Sequence, residues 1–183
     1  LWTQAMSSRF TFTAAAFLAP LAFSQNLDFG MREARRSPPW IDGLTIYQVW
    51  LRAFSPEGTL KGVRARLPYI AELGAGMVYL SPITKRPDRP WAMPYSVSDY
   101  DAIDPEYGDE ADLRELVRAA HKLGLKVMLD IVYYHTAPDS VLTKDPSLFR
   151  RTPDGRIATG YWRQPVPDFK TPALRKLLIA SLV

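Results

Sequence analysis

The sequence predicts an α/β fold in which a parallel sheet is covered by helices. Three short apolar runs, at residues 46–50, 77–80 and 126–133, have the length and composition of buried strands. Helical patterns at residues 59–73 and 109–123 separate them. Strands that alternate with helices are typical of a parallel sheet, because each connection between parallel strands has to cross one face of the sheet.

The two helices that separate these strands carry regular apolar faces and clear ends. In the first, apolar side chains recur every three or four residues, but Pro68 interrupts the pattern, so we expect a kink or a helix that restarts there. The second opens at Asp109 with an acidic first turn. A glycine ends each helix, at Gly74 and Gly124.

Two architectures contain such a sheet, an open doubly wound sheet and a (β/α)8 barrel. An open sheet usually has a glycine-rich turn after its first strand, whereas residues 51–62 read LRAFSPEGTLKG. A barrel needs about 250 residues, so a chain of 183 residues holds about its first three strands. A last helix that opens at Thr171-Pro172 and runs to Val183 with no stop agrees with this. We therefore expect a partial TIM (β/α)8 barrel with a short inserted loop region after strand three.

The start of the chain predicts export. Arg9 precedes an apolar stretch at residues 10–23, and small residues follow as in a signal peptide cleaved before Gln25. This stretch is too short for an ordinary membrane span, which needs about 20 residues. We expect a secreted or periplasmic protein with no membrane span in the mature chain. The expected division is 1–24 upstream residues and signal peptide, 25–39 linker, and 40–183 barrel part, with 134–170 an excursion after strand three.

The composition argues against several classes of function. Hydrophobic residues make up 47% and charged residues 23%, which is typical of a globular rather than a disordered chain. The net charge of +4 comes without a basic stripe that has interleaved aromatics, so we expect no nucleic-acid partner. With no cysteine and two histidines, the chain offers neither cysteine chemistry nor a histidine-rich zinc site.

Polar residues that could carry chemistry follow the third strand, in the stretch LDIVYYHTAPDS. Because Asp130 is costly to bury unpaired against helices, we expect it on the interior face near the mouth of the barrel. The sequence leaves two roles open for Asp130: direct contact with a substrate, or a structural carboxylate paired with an arginine. His135 lies an odd number of residues further on, so the strand must end near Tyr133 and turn if both share one pocket. Oxygen ligands for calcium could come from Asp139, Asp168 or backbone carbonyls.

Four segments form an ordered set of motifs between residues 40 and 183. They are IYQVWLRAFSPEGTLKGV, LPYIAELGAGMVYLSPI, YSVSDYDAIDPEYGDEADLRELVRAAHKLGLKVMLDIVYYHT and VPDFKTPALRKLLIASLV. Together they resemble the start of the alpha-amylase family, glycoside hydrolase family 13, from its first strand to the stretch before its fourth. Several motifs in order are far more specific than any one of them.

The resemblance implies roles for individual residues. Asp130 matches the aspartate that organises the floor of the sugar pocket, and His135 matches the histidine that hydrogen-bonds a sugar hydroxyl. Tyr95 matches the tyrosine that stacks on the same sugar ring. Asp168 matches an aspartate that often binds calcium, but Tyr134 stands where the family usually has a calcium-ligating asparagine. The resemblance therefore implies that no cofactor is required, that calcium is possible but doubtful, and that Asp168 is the metal ligand it points to.

The resemblance also implies a function, a retaining alpha-glycosidase that acts on alpha-glucans or oligosaccharides in carbohydrate metabolism. In the family, the nucleophilic aspartate, the glutamic acid–base and a third carboxylate lie on strands four, five and seven. We therefore expect no catalytic residue within this chain and an inactive fragment. The alternatives are a transglycosylase or isomerase of the same family, or a non-catalytic barrel relative used for binding.

Overall fold

The computed structural model describes residues 33–89 and 92–182. The predicted signal peptide, residues 1–24, and residues 25–32 of the predicted linker lie outside this part. Residues 33–38 carry no helix or strand. In the described part of the chain, no helix is both long enough and apolar enough to cross a membrane.

Three parallel strands and the helices between them form the centre of the fold. The strands are β1 (Ile46–Val49), β2 (Met77–Leu80), β3 (Thr84–Lys85), β4 (Asp99–Ile103) and β5 (Lys126–Leu129). The α-helices are α1 (Leu51–Phe54), α2 (Leu60–Ala65), α3 (Leu67–Glu72), α4 (Glu110–Lys122) and α5 (Pro172–Ala180), with 3-10 turns at Pro39–Ile41, Val141–Lys144 and Pro146–Leu148. The parallel sheet has the order β1-β2-β5, and β3 pairs with β4 in a separate antiparallel hairpin. The predicted parallel sheet is confirmed.

One face of the parallel sheet packs against the helices and forms the main core. The register pairs Val49 with Leu80, and all side chains on this face of β1 and β2 lie in one apolar cluster. The helices contribute fully buried residues to the same cluster: Leu60, Val63, Leu67, Ile70, Leu116 and Ala120. Side chains alternate along a strand, so the next residues face the other way, toward the interior of the barrel. Asp130, which follows β5, continues this interior row.

The first predicted helix is two helices, as the proline in its pattern suggested. Pro68 lies in the first turn of α3, where its missing N–H costs nothing, and Arg66 separates α3 from α2. At the start of α4, Asp109 accepts a hydrogen bond from the N–H of Asp112 at 2.9 Å. The Asp112 carboxylate accepts the N–H of Asp109 in return, at 3.4 Å, which closes a capping box.

Two predicted ends were wrong. The third strand stops at Leu129 and not near Tyr133, because its neighbour β2 ends at Leu80. The last hydrogen bond between the two strands runs from the Asp130 N–H to the Leu80 carbonyl, at 2.9 Å. The last helix ends at Ala180 rather than running to Val183, which lies outside the described residues.

A buried ion pair closes the long segment between β2 and α4, which the sequence predicted only as a loop. Arg86 follows β3 and Asp104 follows β4, and Arg86 Nε lies 3.0 Å from Asp104 Oδ2. Their side chains are only 3% and 4% exposed. The Arg86 guanidinium also pairs with Glu106 and lies 5.8 Å from the ring centre of Tyr107. Asp104 also accepts the backbone N–H groups of Arg86 and Glu106, so its buried carboxylate has several partners.

Removing one charge of this pair should strongly destabilise the protein. In Asp104→Asn the buried guanidinium of Arg86 loses its buried counter-charge and keeps only the exposed Glu106, so we expect the free energy of unfolding to fall by about 3 kcal/mol. Glu110→Gln is the matched control, because it breaks an exposed ion pair with Arg114 on α4 and should change that free energy by about 0.5 kcal/mol or less. Urea-induced unfolding followed by tryptophan fluorescence measures both; equal losses would contradict the expectation.

Candidate functional site

Tyr95 brings together the three predicted substrate-binding residues. Its hydroxyl donates a hydrogen bond to Asp130 Oδ2 at 3.1 Å, and its backbone carbonyl accepts one from His135 Nε2 at 3.0 Å. Asp130 and His135 lie 35 and 40 positions further along the chain. The structure therefore joins all three side chains at the carboxyl end of the parallel sheet.

Asp130 is held by phenols rather than by a guanidinium. Besides Tyr95, Tyr79 on β2 has its hydroxyl near this carboxylate. Burial raises the pKa of both tyrosines above the usual value, and the negative charge and hydrogen bonding of Asp130 raise it further. Both phenols therefore remain hydrogen-bond donors at any ordinary pH. The described partners of Asp130 do not match the structural alternative, which required an arginine.

The segment after β5 turns so that the ring of His135 reaches the backbone of Tyr95. The buried hydroxyl of Tyr100 donates to the carbonyl of Val132 at 2.8 Å and lies 3.4 Å from that of His135. Tyr133 stacks on the Tyr100 ring with centroids 6.0 Å apart. His135 is only 7% exposed, and its Nδ1 has no hydrogen-bond partner in the described part of the chain. The predicted turn is present, although it begins at Asp130.

Backbone hydrogen bonds join the loop that carries Tyr95 to the loop that carries His135. Ala137 N–H donates to the Val97 carbonyl, and Val141 N–H donates to the Ser98 carbonyl, both at 2.8 Å. The Ser98 hydroxyl donates to Asp139 Oδ1 at 3.2 Å. The two loops therefore behave as one unit, and Asp139 takes part in joining them.

Trp50 packs against Tyr95 at this end of the sheet, a contact that the sequence analysis missed. It directly follows β1, and its ring stacks on that of Tyr95 with centroids 6.2 Å apart and an angle of 20° between the planes. A large aromatic residue at the carboxyl end of a barrel strand was the available signal, since sites in this architecture are built there.

A cavity of about 310 Å³ opens beside Tyr95 and His135. Its lining residues are Met93, Tyr95, Ser96, His135, Trp162 and Gln164. Trp162 and Gln164 come from the excursion after strand three and were not predicted as site residues. The edge of the Trp162 ring system approaches His135, with ring centroids 5.6 Å apart. The adjacent aromatic residues Tyr161 and Trp162 in a polar loop were the signal that could have found them.

The surroundings of Asp168 do not fit a calcium ion. Its Oδ1 accepts the N–H of Lys170 at 3.1 Å, and its carbonyl accepts the N–H of Thr171 at 2.9 Å, so the residue helps to start α5. Calcium takes six to eight oxygen ligands. Across residues 33–89 and 92–182, no three histidine, cysteine, aspartate or glutamate side chains come together in a metal-binding group.

Comparison with known proteins places the chain in a family. The family model "Alpha amylase, catalytic domain" matches residues 13–148. The chain belongs to the alpha-amylase family. Its three parallel strands are the first strands of that family's barrel, so the predicted partial TIM barrel is confirmed.

Individual relatives of the alpha-amylase family agree with this assignment. The chain is 42% identical over 103 residues to a Rhizobium meliloti protein named "Probable alpha-glucosidase", which covers 54% of this chain and 18% of the relative. It is 31% identical over 133 residues to an oligo-1,6-glucosidase of Saccharomyces cerevisiae, with 70% and 22% covered. The crystal structure of an alpha-amylase from Lactobacillus plantarum superposes with a TM-score of 0.73 at 37% identity, with 78% and 36% covered. The chain thus spans about a fifth of these curated relatives.

Replacing Asp130 should lower the pKa of the two tyrosines that contact it. Asp130→Asn removes the negative charge, so we expect the pKa of Tyr79 and Tyr95 to fall toward the ordinary value of 10.0 without reaching it, since burial remains. A phenol with a raised pKa stabilises the fold fully below pH 10 and loses this contribution as the pH rises through its folded-state pKa. The alkaline loss of stability from these two phenols should therefore begin near pH 10 in both proteins, but it should be smaller and end at a lower pH in the variant.

Tyrosine ring carbon shifts in a pH titration by NMR measure this effect directly. Asp139→Asn is the matched control, because it removes an exposed carboxylate from the adjacent loop that does not contact either phenol. Unchanged titration of Tyr79 and Tyr95 in Asp130→Asn would show that Asp130 does not set their pKa.

Proposed function

We propose that the chain is the N-terminal part of a retaining alpha-glycosidase that acts on alpha-linked glucans or oligosaccharides. The observation that carries the proposal is that Tyr95 hydrogen-bonds both Asp130 and His135 at the carboxyl end of the sheet, beside a cavity that Tyr95 and His135 line. Relatives named alpha-glucosidase and oligo-1,6-glucosidase support an alpha-glucoside as the substrate. The proposed binding partner of the protein is therefore a sugar and not a nucleic acid.

The held carboxylate of Asp130 is suited to binding sugar hydroxyls. A carboxylate offers about four lone-pair positions, and the hydroxyl of Tyr95 occupies part of them. The remaining positions can accept hydroxyl groups of a sugar without any movement of the side chain. His135 supplies a ring nitrogen, and the ring of Tyr95 supplies a flat apolar surface for the C–H face of a pyranose.

The same geometry supports binding rather than bond cleavage as the role of this part of the protein. Retaining hydrolysis needs two carboxyl groups about 5–5.5 Å apart across the glycosidic bond. The described lining of the cavity contains no carboxylate, and Asp130 accepts a hydrogen bond from the hydroxyl of Tyr95. We therefore propose that residues 1–183 alone are inactive and that the covalent chemistry comes from further sequence.

Activity assays on the full-length protein test this proposal. We expect it to release glucose or shorter oligosaccharides from maltose, maltotriose or starch, with retention of the anomeric configuration. Because the donor set at Asp168 does not suit calcium, activity in excess EDTA should stay within about twofold. Asp130→Asn should lower kcat/KM at least about tenfold, whereas Asp139→Asn should not. The chain of residues 1–183 should show no turnover.

The products decide between the proposal and its alternatives. Transfer or isomer products without net hydrolysis would indicate a transglycosylase or isomerase. Binding of maltose without turnover would indicate a non-catalytic relative. Absence of both activity and binding on every alpha-glucoside would refute the proposed function.

We also propose that the protein is exported to a secreted or periplasmic location through its N-terminal segment. The support is the sequence pattern of Arg9, the apolar stretch and the small residues before Gln25. Mass spectrometry of the protein from the extracellular or periplasmic fraction should find an N-terminus at Gln25. An intact N-terminal segment on protein confined to the cytosol would contradict export.

A further inference from the structure

A tight turn presents two exposed aromatic rings at the edge of the cavity. The N–H of Gly160 donates to the Gln164 carbonyl at 2.9 Å, and the N–H of Arg163 donates to the Gly160 carbonyl at 3.0 Å. Arg163 adopts a φ of 57°, which closes the turn in the left-handed region. Tyr161 and Trp162 form its tip and are 88% and 65% exposed. Large apolar side chains exposed in this way are typical of binding surfaces.

The turn is fixed to the loops of the binding site although its tip is exposed. Gln164 Nε2 donates to the Ser96 hydroxyl at 3.1 Å, next to Tyr95. The N–H of Thr136, next to His135, donates to the Pro165 carbonyl at 3.0 Å. Trp162 is therefore held at a defined place beside His135 rather than free to move with a loose loop.

Unpartnered polar atoms lie in the wall of the same cavity. His135 Nδ1 and Gln164 Oε1 are buried, and neither has a hydrogen-bond partner within residues 33–89 and 92–182. Both residues line the cavity together with the Trp162 ring. Buried acceptors without partners are costly unless a ligand supplies donors. An aromatic face beside such acceptors suits a ligand that has both C–H faces and hydroxyl groups, which is the chemistry of a sugar ring.

We propose that Trp162 determines specificity by stacking on a second sugar ring, next to the one bound by Tyr95 and His135. The site then selects substrates of at least two linked sugars over single glucosides with small leaving groups. This inference rests on the proposed alpha-glycosidase function and adds to it the substrate class. Trp162 acts by binding, because its indole ring has no group that could attack or protonate a glycosidic bond.

Kinetics on matched substrates test the proposal in the full-length protein. Trp162→Ala should lower kcat/KM for maltose and maltotriose about tenfold to hundredfold, the usual effect of losing one stacked ring. The value for alpha-glucosyl fluoride, which has one sugar, should change less than about twofold. Trp162→Phe should restore most of the loss because it restores an aromatic face. Trp40→Ala is the matched control, since Trp40 is 49% exposed but contacts Lys126 at the opposite end of β5.

Calorimetric binding of glucose and maltose gives a readout that does not need turnover. We expect Trp162→Ala to weaken maltose binding about tenfold and to leave glucose binding unchanged. If Trp162→Ala weakens only the binding of maltose, and the wild-type protein cleaves no alpha-glucoside, then the second sugar site is supported and the proposed hydrolytic function is refuted. The role of Trp162 would be overturned if the variant lost affinity equally for both sugars or lost none for either. It would also be overturned if the wild-type protein did not bind maltose.

Discussion

The buried ion pair between Arg86 and Asp104 is the constraint on which the binding end of this structure depends. A hairpin of two and five residues is only marginally stable by itself, yet it carries the loop from which Tyr95 reaches the parallel sheet. The pair joins the two ends of that hairpin across 18 positions of sequence. Two buried charges are costly to desolvate, so they favour one arrangement in which both are satisfied and penalise every other. The position of Tyr95 follows from this arrangement.

From Tyr95 the same constraint extends to the rest of the site. Its hydroxyl fixes Asp130 and its carbonyl fixes His135, while its ring packs on Trp50. These contacts connect segments that follow β1, β2 and β5, which all end at the same edge because the strands are parallel. Each neighbour therefore limits the freedom of Tyr95 at a different atom. A site assembled from three strand ends in this way can have a well-defined geometry, although Trp50, Tyr95, Asp130 and His135 all lie outside helices and strands.

The sequence predicted those parts of the structure that depend on short-range patterns. The apolar runs gave the three parallel strands, and Pro68 indicated where α2 ends and α3 begins. The high cost of burying a lone carboxylate placed Asp130 on the interior face. In contrast, the β3–β4 hairpin, the Trp50 stack and the position of Trp162 were not predicted. Each depends on a contact between distant segments, and no local pattern encodes it. The wrong end of β5 has the same origin, because the strand stops where its neighbour stops and not where its own apolar run does.

The neighbours of Asp130 are phenols and not an arginine, which explains how its carboxylate can be held in place and still accept hydrogen bonds from a ligand. A guanidinium would bind both oxygens and cancel the charge, leaving little for a ligand. The hydroxyls of Tyr79 and Tyr95 are neutral, and that of Tyr95 donates one hydrogen bond, so the negative charge and most of the lone pairs remain. Burial and the neighbouring charge raise the pKa of both phenols, so neither becomes a competing anion at ordinary pH. The carboxylate is thus oriented at little electrostatic cost, which suits the proposed binding of sugar hydroxyls.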